Sequence, residues 1–118
     1  MLELNTQKLV NLTQFERIIL LFYTERCPLC PFTIQILDNL EKKNNTVVKF
    51  TKINTDIYPE IGKEYTIPGV PTVLSIKDGH MLQFFPGLRN EEQYQQMIDE
   101  LLNDYENNEG KYEQVNPF

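Results

Sequence analysis

The segment Ile18-Ile19-Leu20-Leu21-Phe22-Tyr23-Thr24-Glu25-Arg26-Cys27-Pro28-Leu29-Cys30-Pro31 joins a short apolar run to a pair of cysteines two residues apart. Six apolar residues in succession, β-branched at the start, suit a strand covered on both faces, so Ile18 to Tyr23 is expected to be a central parallel strand. After Pro31 come Phe32, Ile36, Leu37 and Leu40, with Asp38, Glu41, Lys42 and Lys43 between them. That is the stripe of an amphipathic helix, and Asn44-Asn45 ends it. Strand, Cys-x-x-Cys and helix therefore follow one another directly.

Working outward, Leu9, Val10, Leu12 and Phe15 recur at helical spacing. They predict a first helix over Thr6 to Phe15 with Thr6 as its N-cap. Downstream, Val47 to Asn54 reads as a second strand, and Asn54-Thr55-Asp56 as capping residues for a short helix through Tyr65 with Pro59 in its first turn. Thr72 to Ile76 and Met81 to Phe85 read as antiparallel strands joined by Lys77-Asp78-Gly79-His80, a turn centred on Asp-Gly. A last helix starts at Asn90, its N-cap, with Tyr94, Met97, Ile98, Leu101 and Leu102 on the apolar side. A parallel crossover unit followed by an antiparallel hairpin predicts a three-layer α/β/α sandwich around a mixed sheet of four or five strands. The domain is expected over residues 1–106, and 107–118, polar with a Gly and a Pro, as a tail.

Composition narrows the function. The chain has 118 residues, within the range of one self-sufficient domain, and is 41% hydrophobic and 24% charged, as a globular protein is. A formal charge of −6 is the wrong sign for tracking phosphates, so nucleic acid is not an expected partner. The apolar run Ile18–Tyr23 is far shorter than the roughly 20 residues a membrane helix needs, and no membrane partner is expected. Met1-Leu2-Glu3-Leu4-Asn5-Thr6 lacks a basic segment leading into an apolar one, which makes the cytoplasm the expected address.

The two cysteines carry the chemistry. A thiol attacks a disulfide as thiolate, and a cysteine just before a helix start is offered unpaired amide N–H groups and the positive helix end. Cys27 is the expected nucleophile. Pro28 is expected at the first helical position, where its missing N–H removes nothing. Cys30 is placed to attack the mixed disulfide that Cys27 forms with a substrate, releasing reduced substrate and closing a 27–30 bridge. Arg26 adds positive potential and Glu25 opposes it, both screened by solvent. Pro31, at the fourth helical position on this count, is expected to distort the first turn. Two other readings of the pair remain: inert buried thiols, or half of a metal site completed by carboxylates, since His80 is the lone histidine.

Beyond the cysteines, Phe22 to Cys30, Lys52-Ile53-Asn54-Thr55-Asp56, Ile67-Pro68-Gly69-Val70-Pro71-Thr72, Lys77-Asp78-Gly79 and Pro86-Gly87 together resemble the thioredoxin superfamily in order and separation. The resemblance implies that the Val70–Pro71 bond is cis and lies beside Cys27, and that the backbone of Gly69, Val70 and Pro71, with Gly87 nearby, pairs with an extended substrate segment. It implies support of the site by Arg26, Pro28, Leu29, Tyr23 and Lys52. Tyr23 is expected mainly to pack, and alternatively to contact substrate. Departures stand beside this. Thioredoxins proper usually carry Trp before the first Cys and Gly-Pro between the two, whereas Arg26 and Pro28-Leu29 stand here. Cys-Pro-x-Cys is closer to glutaredoxins, yet their glutathione-site pattern is not matched by Phe85 to Asn90. The buried Asp six residues before the first Cys is replaced by Leu21, while its partner is retained as Lys52, whose amine is expected to reach solvent or pair with Asp56 or another acid.

These features predict a protein-disulfide reductase working through Cys27 and Cys30. No cofactor is expected beyond the cysteine couple, its substrates are protein disulfides, and a separate reductase recycles it. The alternative is a non-catalytic interaction module that docks partners through acidic residues Asp99, Glu100, Asp104, Glu106, Glu109 and Glu113.

Overall fold

In the computed structural model, residues 1–12 and 17–103 are described. The apolar run becomes a strand, β2 (Arg17–Tyr23), and the elements around it are β1 (Leu2–Glu3), α1 (Thr6–Leu12), α2 (Cys30–Asn44), β3 (Lys49–Asn54), α3 (Pro59–Glu64), β4 (Thr72–Lys77), β5 (His80–Pro86) and α4 (Glu91–Leu101). The sheet order is β1-β3-β2-β4-β5. β2 pairs parallel with β3 and antiparallel with β4, which makes the sheet mixed and puts the apolar run at its centre.

Strand alternation sorts the core into two layers. Ile19, Leu21 and Tyr23 pack with Cys30, Leu37 and Leu40 of α2 and with Tyr94, Met97, Ile98 and Leu101 of α4. Ile18, Leu20 and Phe22 face the other way, onto Leu4, Leu9 of α1 and Ile61 of α3. The α/β/α sandwich is thus the one expected, with β1 as a fifth strand. At two residues β1 is too short for any periodicity to announce it. It is held by parallel pairing of Leu2 with Thr51 and Glu3 with Lys52.

Several boundaries move for local reasons. Asn5 rather than Thr6 serves the start of α1, its Oδ1 accepting from the Lys8 amide at 2.7 Å, while the Thr6 hydroxyl donates to Glu60. Val10, one of the apolar positions whose spacing predicted this helix, is exposed at 61%. The remainder of the expected first helix, 13–16, lies outside the described residues, as do 104–118 with the expected tail and Asp104, Glu106, Glu109 and Glu113. Val47 and Val48 send their amides to the Asn44 carbonyl, so they belong to the exit turn of α2 and β3 begins at Lys49. Asn54 caps a turn and not α3: its Oδ1 accepts from the Asp56 and Ile57 amides, and α3 starts later with Pro59 as its first residue and no side-chain cap. The hairpin turn at Asp78-Gly79 has φ of 52° and 84°, the pair of left-handed residues that a tight two-residue hairpin requires. Asn90 caps α4 in a reciprocal capping box with Gln93.

Candidate active site

β2 ends at Tyr23, and the chain turns through Thr24, Glu25 and Arg26 to bring Cys27 to the start of α2. Helix α2 starts at Cys30, two residues later than the expected first helical residue Pro28, and Pro31 occupies its second position. The expectation for Pro28 as first helical residue is corrected accordingly. Pro31 is the reason: a residue without an N–H fits only where the helix leaves its amides unpaired, so the first turn forms around Pro31. Residues 27–29 make a non-helical approach, and Pro31 distorts no turn that precedes it.

Cys27 and Cys30 form a disulfide. Cys30 is 1% exposed and sits under the start of α2, whereas Cys27, at 8%, borders an open depression of about 250 Å³ lined also by Thr24, Arg26, Pro28 and Val70. The Cys30 amide donates to the Cys27 sulfur across 3.1 Å. That amide is shared with the Cys27 carbonyl at 3.4 Å, and its bond to the outer sulfur favours negative charge there. Both cysteines belong to the buried cluster, but only Cys27 borders the depression and accepts a hydrogen bond at its sulfur.

Val70 links this depression to a second, of about 360 Å³, lined by Gly69, Pro71, Thr72, Pro86 and Gly87 among others. The Val70–Pro71 peptide bond is cis. The loop is tied down from both sides, with the Gly87 amide donating to the Pro71 carbonyl at 2.8 Å and the Thr72 hydroxyl to the Gly69 carbonyl at 2.7 Å. Gly87 has φ of 84°, a left-handed conformation for which glycine is suited. A larger hollow of about 620 Å³ lies on the far side of Val70, between α3 and the loop, and neither cysteine lines it.

The expected residues are therefore brought together in two groups. Cys27, Arg26, Pro28 and Val70 surround the first depression, and Gly69, Val70, Pro71 and Gly87 the second; Leu29 stands outside both, 44% exposed. Arg26 is clasped by Asp56, Nε to Oδ2 at 2.9 Å and a second bond at 3.0 Å, and its charge is balanced there while remaining in solvent. Lys52 pairs with Glu3 and not with Asp56: its Nζ is 3.9 Å from Glu3 Oε1 and 5.3 Å from the centre of the Tyr23 ring. Tyr23 is buried and donates its hydroxyl to Glu3 at 2.7 Å. Burial raises the Tyr23 phenol well above its ordinary pKa, and the Glu3 carboxylate raises it further.

Two residues were not singled out by the sequence. Glu3 lies on a strand too short to detect. Tyr94 packs as a core residue of α4, yet its hydroxyl accepts from the Arg89 amide at 3.2 Å and reaches the Gly87 carbonyl, tying that loop to the helix. Among the described residues, no three His, Cys, Asp or Glu side chains gather in a way that could hold a metal ion, and no helix is long and apolar enough to cross a membrane.

Comparison with known proteins adds to this geometry. The thioredoxin family model matches residues 3–100. A chloroplastic thioredoxin of Arabidopsis thaliana is 31% identical over 81 residues, covering 69% of this chain and 47% of that protein. A mitochondrial thioredoxin of Mus musculus is 28% identical over 81 residues, covering 69% of this chain and 49% of that protein. The chain thus spans about half the length of these curated relatives. Among solved structures, the thioredoxin of Fasciola hepatica superposes with a TM-score of 0.74 at 27% identity, covering 85% of this chain and 98% of that one.

Proposed function

The chain belongs to the thioredoxin family, and from that membership we propose that it is a thiol:disulfide oxidoreductase that reduces protein disulfides. Cys27 acts as the nucleophile and Cys30 as the resolving thiol. The observation that carries this is the asymmetry of the pair: the Cys27 sulfur borders an open depression and accepts the Cys30 amide, while Cys30 is enclosed. A thiolate is made at the sulfur that a substrate can reach, and the second thiol is kept from reacting with anything but the first.

In the reaction, the Cys27 thiolate attacks one sulfur of a substrate disulfide and expels the other as a thiol. Cys30 then attacks Cys27, breaks the mixed disulfide, releases the second substrate thiol and leaves the 27–30 bridge. The cysteine couple is the electron carrier, and a separate reductase returns it to the dithiol. The cis-proline loop supports the docking of an extended substrate strand: Gly69, Val70 and Pro71 border a depression that shares Val70 with the one at Cys27. Net reduction suits a compartment that keeps thiols reduced, and the cytoplasm is the one we favour.

Reduction of insulin by a dithiol, with and without the protein, tests the function. Cys27→Ser is expected to abolish the acceleration. Cys30→Ser is expected to stop turnover while trapping a covalent complex that mass spectrometry detects and excess dithiol releases. Acceleration that survives Cys27→Ser would remove Cys27 from the chemistry and the proposal with it.

A further inference from the structure

Pro86 ends the edge strand β5, and Gly87-Leu88-Arg89 carries the chain to Asn90, the cap of α4. Pro86 and Gly87 form one wall of the depression at the cis-proline loop. Neither residue fixes that wall by itself. Pro86 has no amide to donate, and Gly87, at φ of 84°, is the residue type with the widest backbone freedom. The position of the wall therefore comes from what the loop is bonded to.

Two side chains supply those bonds. Arg89 turns back over its own loop, its Nη2 and Nε donating to the Pro86 carbonyl at 2.9 and 3.3 Å while its guanidinium stands 4.9 Å from the centre of the Phe85 ring. Tyr94 rises from the first turn of α4 inside the buried cluster, its ring 6.4 Å from that of Phe85. The Tyr94 hydroxyl accepts the Arg89 amide at 3.2 Å and donates to the Gly87 carbonyl across 3.5 Å. Burial raises the phenol above its ordinary pKa, so the O–H is kept as a donor. Gly87 hands the constraint across the cleft, its amide donating to the Pro71 carbonyl at 2.8 Å. Bonds thus run from the core of α4 through Gly87 to the cis-proline loop. The apolar spacing of α4 asks position 94 only for an apolar side chain, which phenylalanine would satisfy. A buried oxygen is costly unless paired, and both bonds that pair this one go to the Gly87–Arg89 loop.

We propose that Tyr94 and Arg89 are positioning residues for substrate: they set the Pro86–Gly87 wall of the cis-proline depression and so favour disulfides carried on an extended polypeptide over small disulfides that need Cys27 alone. The inference rests on the oxidoreductase function proposed above and adds two residues outside the reacting sulfurs. A polypeptide has to lie along Gly69, Val70 and Pro71 while its disulfide meets Cys27, so a wall displaced by a fraction of an ångström weakens its docking. A small aromatic disulfide uses the depression at Cys27, to which neither Pro86 nor Gly87 contributes. Loss of the wall therefore separates the two kinds of substrate.

The test compares the wild type with Tyr94→Phe, which deletes one oxygen, on two substrates. With insulin and excess dithiothreitol, KM is expected to rise about fivefold while kcat stays within about twofold, as the loss of a hydrogen bond that serves binding alone would give. With dithiobis-nitrobenzoate, the rate at which the reduced protein releases the coloured thiolate is expected to stay at its wild-type value. Arg89→Lys, which keeps the charge and gives up the two-pronged bond to Pro86, should show the same split, and it decides in place of Tyr94→Phe if that variant does not fold. An insulin KM that does not move overturns the proposal. So does a fall in both reactions together, since general loosening of α4 would slow them in step. A wild-type protein that does not accelerate insulin reduction overturns the oxidoreductase function itself, and the inference with it, before any variant is compared.

Discussion

Arg26 stands next to Cys27 in the chain and lines the same depression, yet its guanidinium is committed to Asp56 through two hydrogen bonds. The Arg26 bonds hold the Asp56 carboxyl below its ordinary pKa, more strongly than its slight desolvation opposes. A carboxyl depressed in the folded state contributes stability above its unfolded pKa, and that contribution is lost as pH falls through the lower folded value. The clasp is therefore closed throughout the neutral range in which thiols titrate. Its effect on Cys27 is to cancel most of the positive potential that Arg26 would otherwise supply. Asp56→Asn should release that potential and move the pH profile of Cys27 alkylation downward, by about half a unit or less because Arg26 is in solvent. A profile that moves upward, or a larger shift, would mean that Asp56 acts on the thiol by another route.

Among the elements, the C-terminus of α3 carries an unusual choice. Thr66, a β-branched residue, has φ of 55°, and the Thr66 and Ile67 amides bond back to the Lys63 and Gly62 carbonyls. This is the left-handed closure that glycine usually provides, and an L side chain there costs roughly 1 kcal/mol. Thr66→Gly should accordingly raise stability by about 0.5–1 kcal/mol, less whatever freedom glycine adds to the unfolded chain. At the other extreme, Asn90→Ala removes one half of the α4 capping box and should lower stability by about 1 kcal/mol. Chemical denaturation of the three proteins side by side checks both signs. These two helix ends also explain what the sequence disclosed. Asn90 is a local signal, and the start of α4 was legible from it. The start of α2 was misplaced because Pro28 satisfies the rule for a first turn, whereas only a start at Cys30 also puts Pro31 where the helix needs no amide. β1 was invisible because its two residues exist as a strand only through pairing with β3. Glu3 was missed for the same reason: its partners Tyr23 and Lys52 lie 20 and more residues away, and a register across three strands has no local signature.

For the whole molecule, β2 decides whether the two layers unfold together. Its residues alternate between the α2–α4 layer and the α1–α3 layer, and every one from Ile18 to Tyr23 is buried. Phe22 is 0% exposed in the layer away from the cysteines, with its ring 5.4 Å from that of Tyr65. Phe22→Ala should remove about 3–5 kcal/mol through lost burial and the cavity it leaves. Against a total of roughly 5–15 kcal/mol, that is a large share, and the melting temperature should fall by more than about 10 °C. Because the substituted strand is shared, the loss should fall on both layers at once. Far-ultraviolet circular dichroism, which reports helices on both faces, and near-ultraviolet signals from tyrosines should then melt at the same lowered temperature. At temperatures where the variant is folded, Cys27 should still react with an alkylating agent at its wild-type rate, since the α2 start and the Cys30 amide lie on the opposite side of the sheet. Two separated transitions would show that the layers hold their structure independently of β2. In that case the central strand would be a spacer between two units and not the spine that places Cys27.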